Sequence, residues 1–285
     1  MFGTGIDYDI FGDTRSVRWK RETREVIKEE HGDYAPFAYS AARNEALVIN
    51  LEGKLKVVPD SGNDPVAMPE FSLPSGRAPQ AAALSDDGRW IAVSDNKNIL
   101  LLDRSAPSAA PRVLERHQGT VMALEFSRGS RFLASAGADR TARLWSLDAD
   151  ARGACEEMAG GHTGTIYAIA FNHRGDQLVT ASADGTLRVW DARYGAASCG
   201  REIVALEWHS DAVNDVRFHP TDNVIFTASD DGSVKGGMCR ACDLTVADMR
   251  EQVLKTNLAV LTQSDRDEIE HLRKVARGST ARSVP

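Results

Sequence analysis

An internal repeat limits what this chain can fold into more than any other feature. Two windows align without gaps, FLASAGADRTARLW (132–145) and QLVTASADGTLRVW (177–190), and VIFTASDDGSVK (224–235) repeats their beginning. Asp139, Asp184 and Asp231 in these windows lie 45 and 47 residues apart, as their numbers show. The upstream histidines keep the same spacing: His117, His162 and His209. Repeats of this length indicate units that bury their apolar faces against one another.

Each repeat reads as a series of short strands joined by tight turns. VMALEFS (121–127) and IYAIAFN (166–172) are apolar enough to be buried strands. A later strand alternates, with Leu187 and Val189 on one face and Trp190 on the other. Four short strands in a unit of this length predict an all-β fold built from propeller blades.

The recurring polar residues resemble the GH…S…D…WD signature of WD repeats, and Gly161-His162 and Trp190-Asp191 reproduce both dipeptides. In that family the His, the Ser or Thr, the Asp and the Trp form a hydrogen-bonded chain that joins the strands of one blade. The resemblance implies the same structural role for the matching residues: His117, Ser135, Asp139 and Trp145; His162, Thr180 or Ser182, Asp184, Trp190 and Asp191; His209, Thr227 and Asp231; and Asp13 and Trp19 near the N-terminus.

The repeats and their fainter copies predict a propeller over residues 1–243. Leu102 and Val58 stand where two of the faint units would have Trp, and Gly237 takes that position in the last unit. Glycine weakens a strand, so we expect the last unit to lose its third strand. The predicted blade units are 34–74, 79–117, 118–161, 162–208 and 209–237, with a partial blade at 13–30.

Five blade units leave the closure of the propeller open. The chain could be the C-terminal part of a larger propeller, which in this family usually has seven blades. Alternatively, SVRWK (16–20) and EVIKEE (25–30) could complete the last blade, with Asp13 and Trp19 replacing its lost Trp position. Contacts between residues 16–20 and 224–229 would support this second arrangement.

After Cys242 the strand pattern gives way to a pattern typical of helices. An apolar stripe predicts one helix over 246–257, and Ser264 with the acidic residues after it predicts the start of a second. We therefore expect a helical tail over 244–278 and disorder over 279–285. The run from Cys239 to Ile269 resembles the end of large bacterial WD-repeat proteins, which usually carry an effector domain upstream.

A propeller does not fix a function, but the family resemblance implies a non-enzymatic scaffold or sensor that binds proteins. A partner would dock where the first strands begin and the tight turns face outward. The candidate contact residues are Thr165, Tyr167, Trp208, Asn214 and Asp230. Two alternatives stay open: a propeller glycosidase, for which the first strands offer only Glu125 and Asp215, and a sugar-binding lectin.

Composition excludes some classes of partner and site. The net charge of −7 disfavours binding to nucleic acid or to an anionic membrane surface. The N-terminus lacks a secretion signal and the chain has four cysteines, so we expect a cytoplasmic protein. Cys239 and Cys242 form a lone CxxC, which is weak support for a metal or redox role. We expect no catalytic residue, no metal and no cofactor.

Overall fold

We analysed a computed structural model of the whole chain. The structure describes residues 2–8, 14–20, 26–31, 34–40, 43, 45–50, 54–59, 71–147, 158, 161–193, 199–221 and 224–239. Every regular element among these residues is a β-strand. The strands form six antiparallel sheets, and in each sheet strands that follow one another in the chain are hydrogen-bonded neighbours.

Sheets 1 and 2 come from the N-terminal part of the chain. Sheet 1 has three strands: β1 (Phe2–Tyr8), β2 (Thr14–Lys20) and β3 (Val26–His31). Sheet 2 has four strands: β4 (Tyr34–Ser40), β5 (Glu45–Asn50), β6 (Lys54–Pro59) and β7 (Phe71–Ser72). The strand β1 precedes the partial blade that the sequence predicts at 13–30.

Sheet 3 comes from the second of the faint units, and sheet 4 from the first strongly patterned repeat. Sheet 3 has four strands: β8 (Ala82–Leu84), β9 (Trp90–Asp95), β10 (Asn98–Asp103) and β11 (Arg112–Leu114). Sheet 4 has three: β12 (Val121–Phe126), β13 (Phe132–Gly137) and β14 (Ala142–Ser146). Met158 lies beside β14 and pairs with Ala142 as an isolated bridge, at the fourth-strand position of this sheet.

Sheets 5 and 6 complete the described array. Sheet 5 has four strands: β15 (Ile166–Phe171), β16 (Gln177–Ser182), β17 (Leu187–Asp191) and β18 (Glu202–Leu206). Sheet 6 has three: β19 (Val213–Phe218), β20 (Val224–Ser229) and β21 (Val234–Met238). The first strand of each of sheets 4, 5 and 6 lies against the first strand of the sheet before it, and β4 of sheet 2 lies against β8.

Apolar side chains fill the spaces between sheets 2 and 3, between sheets 3 and 4, and between sheets 4 and 5. Trp145 packs in the core between sheets 3 and 4, and Trp190 packs in the core between sheets 4 and 5. Leu102 takes the Trp position in sheet 3 and packs against the core of sheet 2. Each repeat thus buries one face against the sheet before it, and burying a side chain of this size stabilises the fold by about 1.5–3 kcal/mol.

The last unit differs from its prediction, because it keeps its third strand. β21 pairs with β20 from Val224↔Met238 to Ala228↔Val234, so the expected loss of this strand is wrong. The ladder consists of backbone hydrogen bonds, which Gly236 and Gly237 can still make. With β19 on its other side, β20 has no free edge for SVRWK.

The strand pairing also rules out one arrangement considered from the sequence, in which SVRWK would complete the last blade and close the ring. The strand that contains SVRWK, β2, pairs with β1 on one side and with β3 on the other. It is therefore not the third strand of the last blade. The predicted helical tail (244–278), the predicted disordered end (279–285) and Asp13 lie outside the described residues.

Candidate functional site

In sheet 4 a chain of hydrogen bonds links the loop before the first strand to the two strands that follow. His117 Nδ1 lies 2.8 Å from Asp139 Oδ2, and its Nε2 lies 2.8 Å from Ser135 Oγ. Because a carboxylate only accepts, Nδ1 carries a proton. Trp145 Nε1 donates to the same Ser135 hydroxyl at 2.8 Å. The four residues therefore join the turn, the second strand and the third strand.

Sheet 5 repeats this arrangement with threonine in place of serine. His162 Nδ1 lies 3.0 Å from Asp184 Oδ2, and its Nε2 lies 2.7 Å from Thr180 Oγ1. Trp190 Nε1 donates to Thr180 Oγ1 at 2.9 Å. Of the two hydroxyls considered from the sequence, Thr180 therefore contacts the histidine. Ser182 accepts from the N–H of Asp184 at 3.2 Å instead.

Sheet 6 keeps the histidine, hydroxyl and carboxylate of this arrangement. His209 Nδ1 lies 2.8 Å from Asp231 Oδ2, and its Nε2 lies 2.7 Å from Thr227 Oγ1. At the Trp position, Gly237 pairs with Ile225, as Trp190 pairs with Leu178 in sheet 5. The third-strand donor to the hydroxyl is therefore lost in this sheet.

The ring of Trp208 occupies the space beside Gly237. A Cβ placed on Gly237 would come within 2.7 Å of Trp208 Cη2. The indole therefore covers the backbone of β21 from the connection between sheets 5 and 6. Trp208 was a candidate partner contact; its ring is half-buried and packs beside Gly237, and a contact with a partner stays a prediction. The packing on Gly237 gives the last blade an indole at the position where a third-strand Trp would pack.

In sheet 5 the electrostatics favour a charged Asp184 and a neutral His162. Burial acts to raise the pKa of Asp184, but hydrogen bonds from Thr186, the Thr163 N–H and His162 outweigh it and hold this pKa well below its usual value. Burial lowers the pKa of His162. The equivalent carboxylates also have pKa values well below their usual range: Asp139 and Asp231. The pairs thus serve as fixed hydrogen bonds.

Two more residues of the predicted signature are Asp191, which lies at the end of β17 in sheet 5, and Trp19, which lies in sheet 1. Asp191 ends β17 and is buried, and its carboxylate accepts from the side chain and the N–H of Arg193. Trp19 lies on β2, where its backbone pairs with Gly3 and Val26. Asp191 thus fixes the turn after the third strand and lies outside the His–Asp network.

The same carboxylates also fix the loops that lead into the first strands. Each accepts a backbone N–H from the residue just after the histidine: Gln118 at 2.8 Å, Thr163 at 2.8 Å and Ser210 at 3.3 Å. Four residues after each of these positions, the first strand has an irregularity in its register. The networks therefore hold the backbone at the beginning of three first strands.

That irregularity is a β-bulge at the same position in sheets 4, 5 and 6. The register shifts between Val121 and Ala123, between Ile166 and Ala168, and between Val213 and Asp215. The bulged residues are therefore Met122, Tyr167 and Asn214. Bulges re-aim side chains and are common beside functional sites. Met122 and Tyr167 are half-buried, whereas Asn214 is exposed.

Thr165 and Asp230 flank this row of bulged residues. The Thr165 carbonyl accepts from the N–H of Ala183, which ties the start of β15 to the tight turn of its own sheet. Asp230 is exposed, and its carboxylate accepts a short hydrogen bond from Asn214 Nδ2. Met122 was not among the residues singled out from the sequence. It aligns with Tyr167 and Asn214 in the first strands, so the repeat alignment contained the signal.

Glu125 and Asp215, the carboxylates considered for a glycosidase, both contact Arg217. Glu125 Oε1 accepts from the N–H of Phe171 at 3.0 Å, and Oε2 lies 3.2 Å from Arg217 Nη1. Arg217 Nη2 lies 3.4 Å from Asp215 Oδ1. Burial raises the pKa of Glu125 to about 7. Both Glu125 oxygens are engaged, so this carboxylate ties the first strands of three consecutive sheets together.

Cysteine chemistry and ion binding were also considered from the sequence. Cys199 and Cys239 are disulfide-bonded, and Cys239 is buried. Cys242, the second residue of the CxxC, lies outside the described residues. Within the described ranges no group of three or more His, Cys, Asp or Glu side chains could hold a metal ion. The same part of the chain contains no helix long and apolar enough to cross a membrane.

Comparison with known proteins places WD repeats on the same segments. Residues 110–146, 153–191 and 200–235 match the family model described as "WD domain, G-beta repeat". The chain is similar to an uncharacterized WD repeat-containing protein of Schizosaccharomyces pombe, with 33% identity over 66 residues. That similarity covers 23% of this chain and 13% of the yeast protein. Three segments of the chain thus match WD40 repeats, and the predicted all-β fold of WD-type propeller blades is confirmed.

Proposed function

We propose that this chain is a non-enzymatic protein-interaction module whose partner docks on the row of bulged first-strand residues. This docking surface consists of Met122, Tyr167 and Asn214, together with Thr165 and Asp230. The observation that supports the proposal is the recurrence of one bulge at one register position in three consecutive sheets. WD repeats are generally found in non-enzymatic scaffolds, which agrees with this function.

The docking surface has the properties that recognition of a protein requires. Its three bulged side chains, Met122, Tyr167 and Asn214, lie on strands, whose backbone is more rigid than that of loops. The His–Asp pairs and their bonds to the loop N–H groups hold that backbone in place before a partner arrives, which lowers the entropy cost of binding. Tyr167 offers a large amphipathic ring, the kind of side chain that often dominates binding energy.

The surface changes in chemistry along the row. Met122 and Tyr167 provide apolar contacts in sheets 4 and 5. In sheet 6, Asn214 and Asp230 provide a polar end with an exposed carboxylate. A partner segment with an apolar side chain next to a hydrogen-bond donor or a cation would match both parts. The acidic character of the chain also favours a protein partner over a nucleic acid or a membrane.

The second part of the proposal concerns the larger protein to which this chain would belong. We place the chain in a larger bacterial regulatory protein, as its C-terminal part. The support is the resemblance of residues 239–269 to the ends of such proteins. Sequencing the reading frame around the gene in its native genome tests this point. Further WD repeats or an effector domain in the same frame agree with it, and a eukaryotic host contradicts it.

The docking proposal is tested by measuring affinity for a partner captured from the native host. Tyr167→Ala should weaken binding at least tenfold, which corresponds to about 1.4 kcal/mol. Asn214→Ala and Asp230→Ala should each weaken it less. The matched control is Val113→Ala, since Val113 is 46% exposed and lies on β11, the strand of sheet 3 farthest from the first strand of that sheet. Unchanged affinity in all three docking-surface variants, with unchanged thermal stability, would refute the proposal.

A further inference from the structure

The tight turns between the second and third strands of sheets 4, 5 and 6 lie at the same end of each sheet as the docking surface. In sheet 4, Val121 at the start of β12 pairs with Gly137 at the end of β13. Sheets 5 and 6 have the equivalent pairing. Side chains in these turns therefore border the docking surface, and a partner seated there would contact them. Because the three turns align residue by residue, a position at which one of them differs stands out.

The turn of sheet 4 carries a cation where the two other turns carry glycine. Arg140 aligns with Gly185 and Gly232. All three residues have a positive φ, which is 65° for Arg140, 80° for Gly185 and 78° for Gly232. This left-handed backbone is unfavourable for a residue with a Cβ, and glycine adopts it without strain. Arg140 is exposed, and its guanidinium forms no ion pair or hydrogen bond with the residues that the structure describes. Folding alone therefore favours glycine at this position.

A second cation lies in the turn of sheet 3 that adjoins the docking surface. Lys97 lies between β9 and β10 and is exposed. Its neighbour Asn96 contacts the start of β12, since the Asn96 carbonyl accepts from the N–H of Val121 at 2.8 Å. Asp95, just before this turn, is half-buried, and one of its carboxylate oxygens is buried. The docking surface therefore has Lys97 and Arg140 along its side toward sheets 3 and 4.

Sheet 6 carries carboxylates at this end where sheet 5 carries small neutral residues. Asp230 in the turn aligns with Ala183, and Asp211 in the loop before the first strand aligns with Gly164. Both aspartates are exposed, and neither forms an ion pair within the described ranges. Their backbones are close, because the N–H of Asp230 donates to the carbonyl of Ala212 at 2.9 Å. The end of the docking surface over sheet 6 is therefore anionic, opposite in sign to the end over sheets 3 and 4.

We propose that the docking surface selects a partner segment with one order of charges: acidic over sheets 3 and 4, apolar in the middle and basic over sheet 6. This partner chemistry rests on the proposed docking function and makes it more specific. Lys97 and Arg140 would meet the carboxylates of the segment, and Asp211 and Asp230 would meet its cations. Complementary charges fix the register of a partner, and like charges in the wrong place exclude competitors. A segment with acidic residues at both ends would therefore bind more weakly, because one end would lie against carboxylates.

The test selects ligands of the full chain from a library of random linear peptides displayed on phage. Peptides whose binding is lost on Tyr167→Ala are kept as ligands of the docking surface. We expect these peptides to carry acidic residues on one side of an apolar centre and basic residues on the other. Tyr167-dependent peptides without this charge order would overturn the proposed partner chemistry and leave the docking function standing. If no peptide depends on Tyr167, the partner chemistry is overturned, and the affinity of a captured partner for Tyr167→Ala decides separately on the docking surface.

Two variants of Arg140 separate recognition from stability. Arg140→Gly restores the residue of the two other turns, so the melting temperature should stay equal or rise while the selected peptides bind about threefold more weakly. Arg140→Glu should weaken them further and should itself select peptides with basic residues in place of the acidic ones. The matched control is Arg128→Glu, since Arg128 is exposed in the turn at the opposite end of sheet 4. Unchanged peptide affinity in both Arg140 variants, or an equal loss in Arg128→Glu, would overturn the proposal.

Discussion

Replacing Glu125 by glutamine should make the stability of the fold less dependent on pH. Burial is the main cause that raises the pKa of Glu125 to about 7, and the nearby carboxylates of Asp215 and Asp86 act in the same direction. The N–H of Phe171 and the guanidinium of Arg217 oppose this rise without cancelling it. In the unfolded chain the same carboxyl has its ordinary pKa of 4.5.

The sign of the effect follows from which state binds the proton more tightly. The folded protein holds the Glu125 proton up to a higher pH than the unfolded chain. Its contribution to stability is therefore fully present below pH 4.5 and is lost as the pH rises to about 7. A difference of about 2.5 pKa units corresponds to roughly 3 kcal/mol. This is an upper value, because the side chain is 28% exposed and partly solvated.

The assay is urea unfolding of the wild type and of Glu125→Gln between about pH 4.5 and pH 8. The difference in unfolding free energy between the two proteins should shift by up to about 3 kcal/mol in favour of the variant as the pH rises. Glutamine keeps an oxygen for the Phe171 N–H and carries no charge. Asp230→Asn is the control, since Asp230 is an exposed carboxylate that contacts Asn214 and is not among the groups that shift the pKa of Glu125. A pH-independent difference between wild type and Glu125→Gln would refute the reasoning.

Three further predictions concern the blades and the cysteines. Gly237→Val should destabilise the fold by about 1–3 kcal/mol in urea unfolding, because its Cβ would lie 2.7 Å from the Trp208 ring. The double variant Trp208→Ala with Gly237→Trp should recover part of this stability. No recovery would contradict the packing of Trp208 on Gly237. The pKa of Asp184 is held low in the folded state, so the unfolding free energy should fall as acid protonates this carboxylate. Asp184→Asn should make the unfolding free energy less dependent on pH in acid. An unchanged pH dependence would contradict the network. Cys199 and Cys239 should resist alkylation without a reductant, because both are disulfide-bonded; rapid labelling at either, seen by peptide mass spectrometry, would contradict the structure and agree with a reducing location.

The sequence was enough to predict the strands and the position of the His–Asp networks, because both recur at a fixed spacing. His162, Thr180 and Asp184 are separated by short, constant distances along the chain, so the repeat alignment alone brings them together. The sequence also aligns the three bulged positions, since Met122, Tyr167 and Asn214 occupy one column of that alignment. Only the register in the structure shows that this column is irregular.

The remaining features depend on contacts that no local pattern contains. The Glu125–Arg217 pair joins residues 92 positions apart, and neither residue type recurs at its position in the repeat. The two glycines of β21 suggested a lost strand, because glycine is unfavourable in strands and the sequence does not show which side chains pack on it. In the structure, the rings of Phe226 and Trp208 lie over Gly236 and Gly237, and the strand persists. Long-range packing thus overrides the local preference.

Site-specific photo-crosslinking in the native host tests the docking surface most directly. A photoreactive phenylalanine analogue would replace Tyr167 in one protein and Val113 in a second, and the crosslinked products would be identified by mass spectrometry. We predict that the probe at position 167 captures one defined protein and that the probe at position 113 does not. Capture of the same protein from position 113 but not from position 167 would contradict the account.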